Sequence, residues 1–121
     1  MSVDRKALTR QYKETPRTMG IGQVRNLTSG KVLLIAGLDL PSLLNRHKAQ
    51  LRLNAHSVKT LRADWNAQGA DNFAFEVLDT LTPVDKPDSD PAADLRALEE
   101  MWLEKLSPFE PAGYNRQPKR T

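Results

Sequence analysis

Two charged side chains in this 121-residue sequence, standing far apart, have types suited to work on a phosphate: Arg46, within Leu44-Asn45-Arg46-His47, and Glu99, within Leu98-Glu99-Glu100-Met101-Trp102-Leu103. A guanidinium binds phosphate oxygens with a planar fork and stays charged at any working pH. A carboxylate can hold a hard divalent cation, which prefers oxygen ligands and completes its shell with water and substrate oxygens. Each residue also has a plain structural reading. Arg46 would be a surface arginine or the partner of Glu99, and Glu99 a solvated helix residue like Glu100 and Glu104. His47 beside Arg46 reads as a helix-packing histidine, His56 as an uncommitted residue at a helix start, and Asn115, in Gly113-Tyr114-Asn115, as a turn residue.

The elements that must position these side chains follow from periodicity. Residues 20–27 and 31–36 read as strands separated by Thr28-Ser29-Gly30. The second, Val32-Leu33-Leu34-Ile35-Ala36, is apolar throughout and is expected to be a buried, central strand. Asp39 through Pro41 opens a helix, with Asp39 or Ser42 as its cap. On it Leu40, Leu43, Leu44, His47 and Leu51 fall at helical spacing and should face the core. A second helix at about 56–67 sets Val58, Leu61 and Trp65 on one face, and Gly69 ends it. Phe73, Phe75 and Val77 alternate as a third strand. Pro83, Pro87 and Pro91 among aspartates mark an exposed loop over 82–91. A last helix at about 91–106 turns Leu95, Leu98, Trp102 and Leu106 inward, with Asp90 or Asp94 suited to its N-terminal dipole. The expected fold is α+β: a small three-stranded, mainly antiparallel sheet flanked by helices. Residues 1–18 form a basic arm, 19–116 the domain and 117–121 a basic tail.

Length allows one domain with a modest core. Hydrophobic residues at 39% and charged residues at 27% suit a globular chain. Without an apolar stretch long enough for a span or a leader, the expected location is the cytoplasm. The lack of cysteine excludes disulfides, thiolate metal sites and a cysteine nucleophile. Charge is uneven. Residues 1–66 carry 12 Lys/Arg against 4 Asp/Glu, a net of +8, whereas 67–121 carry 6 against 11, a net of −5. A basic half suits a phosphate backbone, because neutralised phosphates release condensed counterions; a solvated mixed surface is the alternative. Candidate contacts are Arg25, Lys31, Arg46, Lys48, Arg52, Lys59 and Arg62.

In order and separation, Gly20-Ile21-Gly22-Gln23-Val24-Arg25-Asn26, Lys31 to Ala36, Asn45-Arg46-His47, His56, the Phe73–Leu78 strand, Glu99…Trp102-Leu103 and Gly113-Tyr114-Asn115 resemble the GIY-YIG nucleases over residues 17–116. The resemblance implies phosphodiester hydrolysis with one divalent metal, Mg²⁺ or Mn²⁺, on nucleic acid, DNA foremost. It makes Glu99 the metal ligand, Arg46 the contact to the scissile phosphate and Asn115 the residue that orients the site. His47 becomes a possible proton-transfer partner. The departures are as telling. The two signature tyrosines fall at Gly22 and Leu33, and the glycine of the second motif at Ile35. The only tyrosines of the chain are Tyr12 and Tyr114. A missing general base typically costs ~10²–10⁴-fold in rate. Three readings follow: a divergent nuclease in which His47 or metal-bound hydroxide replaces the phenol, an inactive nucleic-acid-binding module, or a protein-interaction domain using the acidic 82–104 stretch. Tyrosines returned to positions 22 and 33 are expected to restore some cleavage if only the base is lacking.

Overall fold

The computed structural model of the protein describes residues 18–82 and 90–117. The basic arm (Thr18 apart), residues 83–89 of the proline-rich loop and residues 118–121 of the tail lie outside the described residues. The elements are β1 (Met19–Asn26), β2 (Val32–Gly37), α1 (Leu40–Arg52), α2 (Lys59–Gln68), β3 (Phe73–Leu81) and α3 (Pro91–Leu106). α1 and α3 begin alike. Asp39 caps α1, its carboxylate accepting from the Ser42 N–H at 3.4 Å and the Ser42 hydroxyl at 2.9 Å. Asp90 caps α3, accepting from the Ala93 N–H at 3.2 Å. A proline follows each cap in the first turn, where its missing N–H costs nothing. α2 begins at Lys59, later than its periodicity suggests, because His56 Nδ1 takes up the Val58 N–H and Val58 is extended. Gly69 ends it at φ 90°.

The sheet is antiparallel in the order β2-β1-β3, so β1 is central and β2 is an edge strand. That corrects the placement expected for β2. An unbroken apolar run reports that both faces of a strand are covered; it does not report how many strands flank it. Both faces of β2 are indeed covered. Leu33 and Ile35 join Val24, Leu40, Leu51, Leu61, Trp65 and Phe73 in the core beneath α1 and α2. Leu34 joins Met19, Ile21 and Leu95 in a second core on the opposite face, flanked by Leu98, Trp102 and Leu103 of α3. Each fully buried Leu, Ile or Phe contributes about 1.5–3 kcal/mol. Leu106, expected inside, is exposed, because α3 stops at Ser107 in a left-handed conformation (φ 48°, ψ 52°). Among the described residues no helix is long and apolar enough to cross a membrane.

An edge strand leaves a row of unpaired backbone groups, and natural folds cover it. Here the segment 108–115 does so. The Tyr114 N–H donates to Val32 O at 3.0 Å. The Asn115 amide brackets Leu34, its Oδ1 accepting from Leu34 N–H at 2.8 Å and its Nδ2 donating to Leu34 O at 3.1 Å. The chain doubles back so tightly that a Cβ on Gly113 would stand 2.2 Å from Pro108 O, which only glycine permits.

Candidate functional site

The N-terminal half of α1 lies against the end of β2, and an open cleft of about 490 Å³ runs along their junction, lined by Ala36, Gly37, Leu38, Asp39, Ser42, Leu43 and Arg46. Arg46 is exposed and has no hydrogen-bond or ion-pair partner among the described residues. The reading that pairs it with Glu99 is therefore not realised. α1 and α3 pack on opposite faces of the sheet, and β2 runs between them.

The other candidate phosphate contacts divide into free and committed. Arg25 is tied to Glu76, Nε to Oε1 at 2.7 Å and Nη2 to Oε2 at 3.0 Å, while Gln23 bonds the same carboxylate. Lys31 lies 5.9 Å from the Tyr114 ring centre and Lys48 5.8 Å from that of Phe75. Arg62 reaches back to His56 O at 3.5 Å. Arg52 and Lys59 are exposed, with no such partner among the described residues. At about 100° per residue, Arg46 and Lys48 emerge from opposite flanks of α1. Arg46 stands toward the β2 cleft, and Lys48 toward β3.

The two positions where phenols are missing lie under α1. Gly22 pairs with Ile35, and Leu33 with Val24, on the face that α1 covers. A Cβ on Gly22 would meet the Glu76 carbonyl and Leu40 Cδ1 at 3.1 Å each, and Leu44 Cδ2 at 3.4 Å. Leucine side chains thus occupy the space that a side chain at position 22 would need. Leu33 is itself buried.

Glu99 is half-buried on α3, with no hydrogen-bond or ion-pair partner among the described residues. Burial, and then the charge of Glu100, push its carboxyl above the usual range. Such a group gains from a nearby cation. One carboxylate suits Mg²⁺ or Mn²⁺, which keep waters and substrate oxygens as their other ligands. Among the described residues no set of three or more His, Asp or Glu side chains is grouped to hold a metal.

Asn115, expected to orient the site, has its amide occupied on both sides by Leu34, so it acts on the β2 edge. Its neighbour Tyr114 is 1% exposed. The Tyr114 hydroxyl donates to Asp64 Oδ2 at 2.6 Å and accepts from Asn26 Nδ2 at 3.0 Å. Burial and Asp64 push its phenol up to about 12, so it holds its proton and does not supply the missing base. Asn26 Oδ1 in turn accepts from the Thr28 and Ser29 N–H groups and from Asn72. Tyr12 lies outside the described residues.

His47 is brought onto His56, Nδ1 to Nε2 at 2.8 Å. Sequence reasoning missed this pairing, as it missed Asn26 and Asp64. The only available signal was two histidines nine residues apart across a helix end.

A three-stranded antiparallel sheet with two helices on one face and one on the other, its edge closed by the segment after the last helix, places the chain among α+β proteins with the fold of GIY-YIG nuclease domains. In particular, it is similar to the catalytic domain of the homing endonuclease I-TevI, with a TM-score of 0.65 and 24% identity, over 83% of this chain and 99% of that one. A mutant of the same intron endonuclease domain gives a TM-score of 0.65 and 22% identity, over 81% and 92%. No family model and no curated protein matches the sequence. At this identity the likeness establishes the fold, and the chemistry has to be argued from the side chains.

Proposed function

We propose that this protein binds nucleic acid, DNA foremost, through phosphate contacts on a nuclease-type fold whose water-activating groups are gone. The observation that carries the reading is the contrast across α1. On the side toward β2 the helix offers Arg46, exposed beside an open cleft. Beneath it, Gly22 and Leu33 are packed against leucine side chains, and the one phenol of that core among the described residues, Tyr114, is committed to Asp64 and Asn26. Phosphate gripping needs only the first feature; hydrolysis also needs a group that takes a proton from water. Arg52 and Lys59, exposed on the same basic half, extend the grip.

Titration of labelled single- and double-stranded oligonucleotides at low and moderate salt tests the reading. A hydrogen bond from a charged group contributes about 1.5–3 kcal/mol. Arg46→Ala should therefore weaken binding roughly 10- to 100-fold and lower the salt slope by about 1. No binding even at low salt would sink the proposal in favour of a protein-interaction role.

One observation favours a second reading, slow metal-dependent hydrolysis. Glu99 is half-buried, unpartnered among the described residues and raised in pKa, a fit to Mg²⁺ or Mn²⁺. When bound, the ion would supply positive charge to a phosphate and acidify water. Glu99 would hold it on the α3 side of the sheet. A plasmid-nicking assay with and without Mg²⁺ or Mn²⁺, beside Glu99→Ala, separates this reading from binding alone.

A further inference from the structure

The two histidines of the chain settle each other's protonation through a third group. The Val58 backbone N–H donates to His56 Nδ1 at 3.0 Å, and a backbone N–H can only donate. His56 Nδ1 therefore carries no hydrogen, and the neutral ring holds its hydrogen on Nε2. That nitrogen faces His47 Nδ1 at 2.8 Å and donates to it. His47 Nδ1 is then the acceptor, so the His47 ring carries its own hydrogen on Nε2. No described residue bonds His47 Nε2. Among the described residues no buried side-chain nitrogen or oxygen lacks a partner, so this nitrogen is open to solvent.

Among the described residues, the charged side chains acting on the pair are cationic: Arg46 on His47, and Arg62 on His56. Burial first, then His56 and Arg46, hold His47 down to about 4. Burial and Arg62 lower His56 as well. A second proton on either ring would set two N–H groups face to face or expel the Val58 N–H. The pair stays neutral while these bonds hold.

We propose that the His47–His56 pair presents the Nε2–H of an uncharged His47, on the residue that follows Arg46 in α1, as a second donor to a phosphodiester oxygen. His56 is the positioning residue. The inference rests on the phosphate-binding reading above and deepens it. It also gives His47 a different role from that of a substitute base. A ring nitrogen that already holds a hydrogen accepts none, so His47 does not replace the lost phenol. The arrangement joins one charged and one neutral donor on consecutive residues of α1. Only the arginine contributes to the salt dependence.

The test combines nitrogen-resolved NMR of the imidazoles with binding of a labelled duplex oligonucleotide between about pH 5 and 8, the range in which an ordinary histidine titrates. Both rings should show hydrogen on Nε2 alone, and wild-type affinity should show no histidine titration. His47→Ala should weaken binding about 3- to 10-fold, the loss of one neutral hydrogen bond, with the salt slope unchanged. His47→Gln, which keeps an N–H donor, should recover part of it. His56→Ala should weaken binding similarly and let His47 titrate, so that affinity rises as pH falls, which a purely structural role for His56 does not produce. If that variant fails to fold, wild-type NMR and the His47 substitutions still decide the matter. Hydrogen on His47 Nδ1, or wild-type affinity that climbs on acidification, overturns the proposal. If Arg46→Ala weakens binding and His47→Ala does not, the pair has no phosphate role while the wider reading stands. If neither weakens it, the wider reading falls and takes the pair's role with it.

Discussion

Restoring a tyrosine at position 22 should damage the fold before it restores chemistry. The perturbation is Gly22→Tyr on the central strand, under α1. Its first side-chain atom alone would come within 3.1 Å of two groups, the Glu76 carbonyl of β3 and Leu40 Cδ1. Leucine termini can shift, but a carbonyl held in a strand pair cannot retreat without opening the ladder. Overpacking of this kind costs about 1–3 kcal/mol, and the phenol ring beyond Cβ must also enter space held by Leu40 and Leu44. A cost near the upper end, about 3 kcal/mol, is a large share of the roughly 6–18 kcal/mol expected for a chain of this size. With about 4 °C lost per kcal/mol in a domain this long, the melting temperature should fall by roughly 12 °C.

Circular-dichroism melts of wild type, Gly22→Ala and Gly22→Tyr measure the effect, and urea titration gives the free energy. Gly22→Ala should lie between the other two. A second variant identifies the cause. Leu44→Ala destabilises by itself, but combined with Gly22→Tyr it should give a total loss smaller than the sum of the two, because the ring fills the cavity. A Gly22→Tyr protein as stable as wild type would refute the reasoning, since α1 could not then pack over Gly22 as described. A folded protein with tyrosines at both 22 and 33 that still does not cut DNA in Mg²⁺ would show that phenols at those two positions do not by themselves confer cleavage.

The remaining predictions concern buried ionisable groups. Tyr114→Phe should cost about 1–3 kcal/mol, because Asp64 and Asn26 lose a shared partner in a buried network. Since folding raises the Tyr114 phenol to about 12, its contribution is complete below about pH 10, the unfolded value, and is lost as pH rises through about 12. Alkaline unfolding curves should therefore steepen for wild type more than for Tyr114→Phe. Glu99 is also raised in the folded state, so its contribution is full below the ordinary glutamate range and lost as pH rises through the elevated value. Glu99→Gln should then be at least as stable as wild type at neutral pH without metal. Mg²⁺ or Mn²⁺ should raise the melting temperature of wild type and leave that of Glu99→Gln unchanged; equal shifts in both would remove Glu99 as a ligand.

The sequence by itself determined the elements and their kind. Alternation at Phe73–Val77, the helical spacing of Leu40, Leu44 and Leu51, and the Asp39 and Asp90 caps are short-range signals, set by backbone geometry within a few residues. The order of the strands was another matter. β1 contains Gly20, Gly22, Gln23 and Arg25 and looks less like a centre than β2, yet it is central because β3, more than 40 residues later in the chain, completes its ladder. β2 is apolar because helices cover both its faces, and its free edge is closed by Tyr114 and Asn115 from the end of the chain. The same division runs through the site. Arg46 and Glu99 are legible as residue types on helices, but only the packing of α1 and α3 on opposite faces keeps them from pairing. Only the fold turns Tyr114 inward to Asp64, 50 positions away, and gives the proton of His56 a direction. Local structure is written in near neighbours, whereas hydrogen-bond partners and desolvation depend on what the rest of the chain brings alongside.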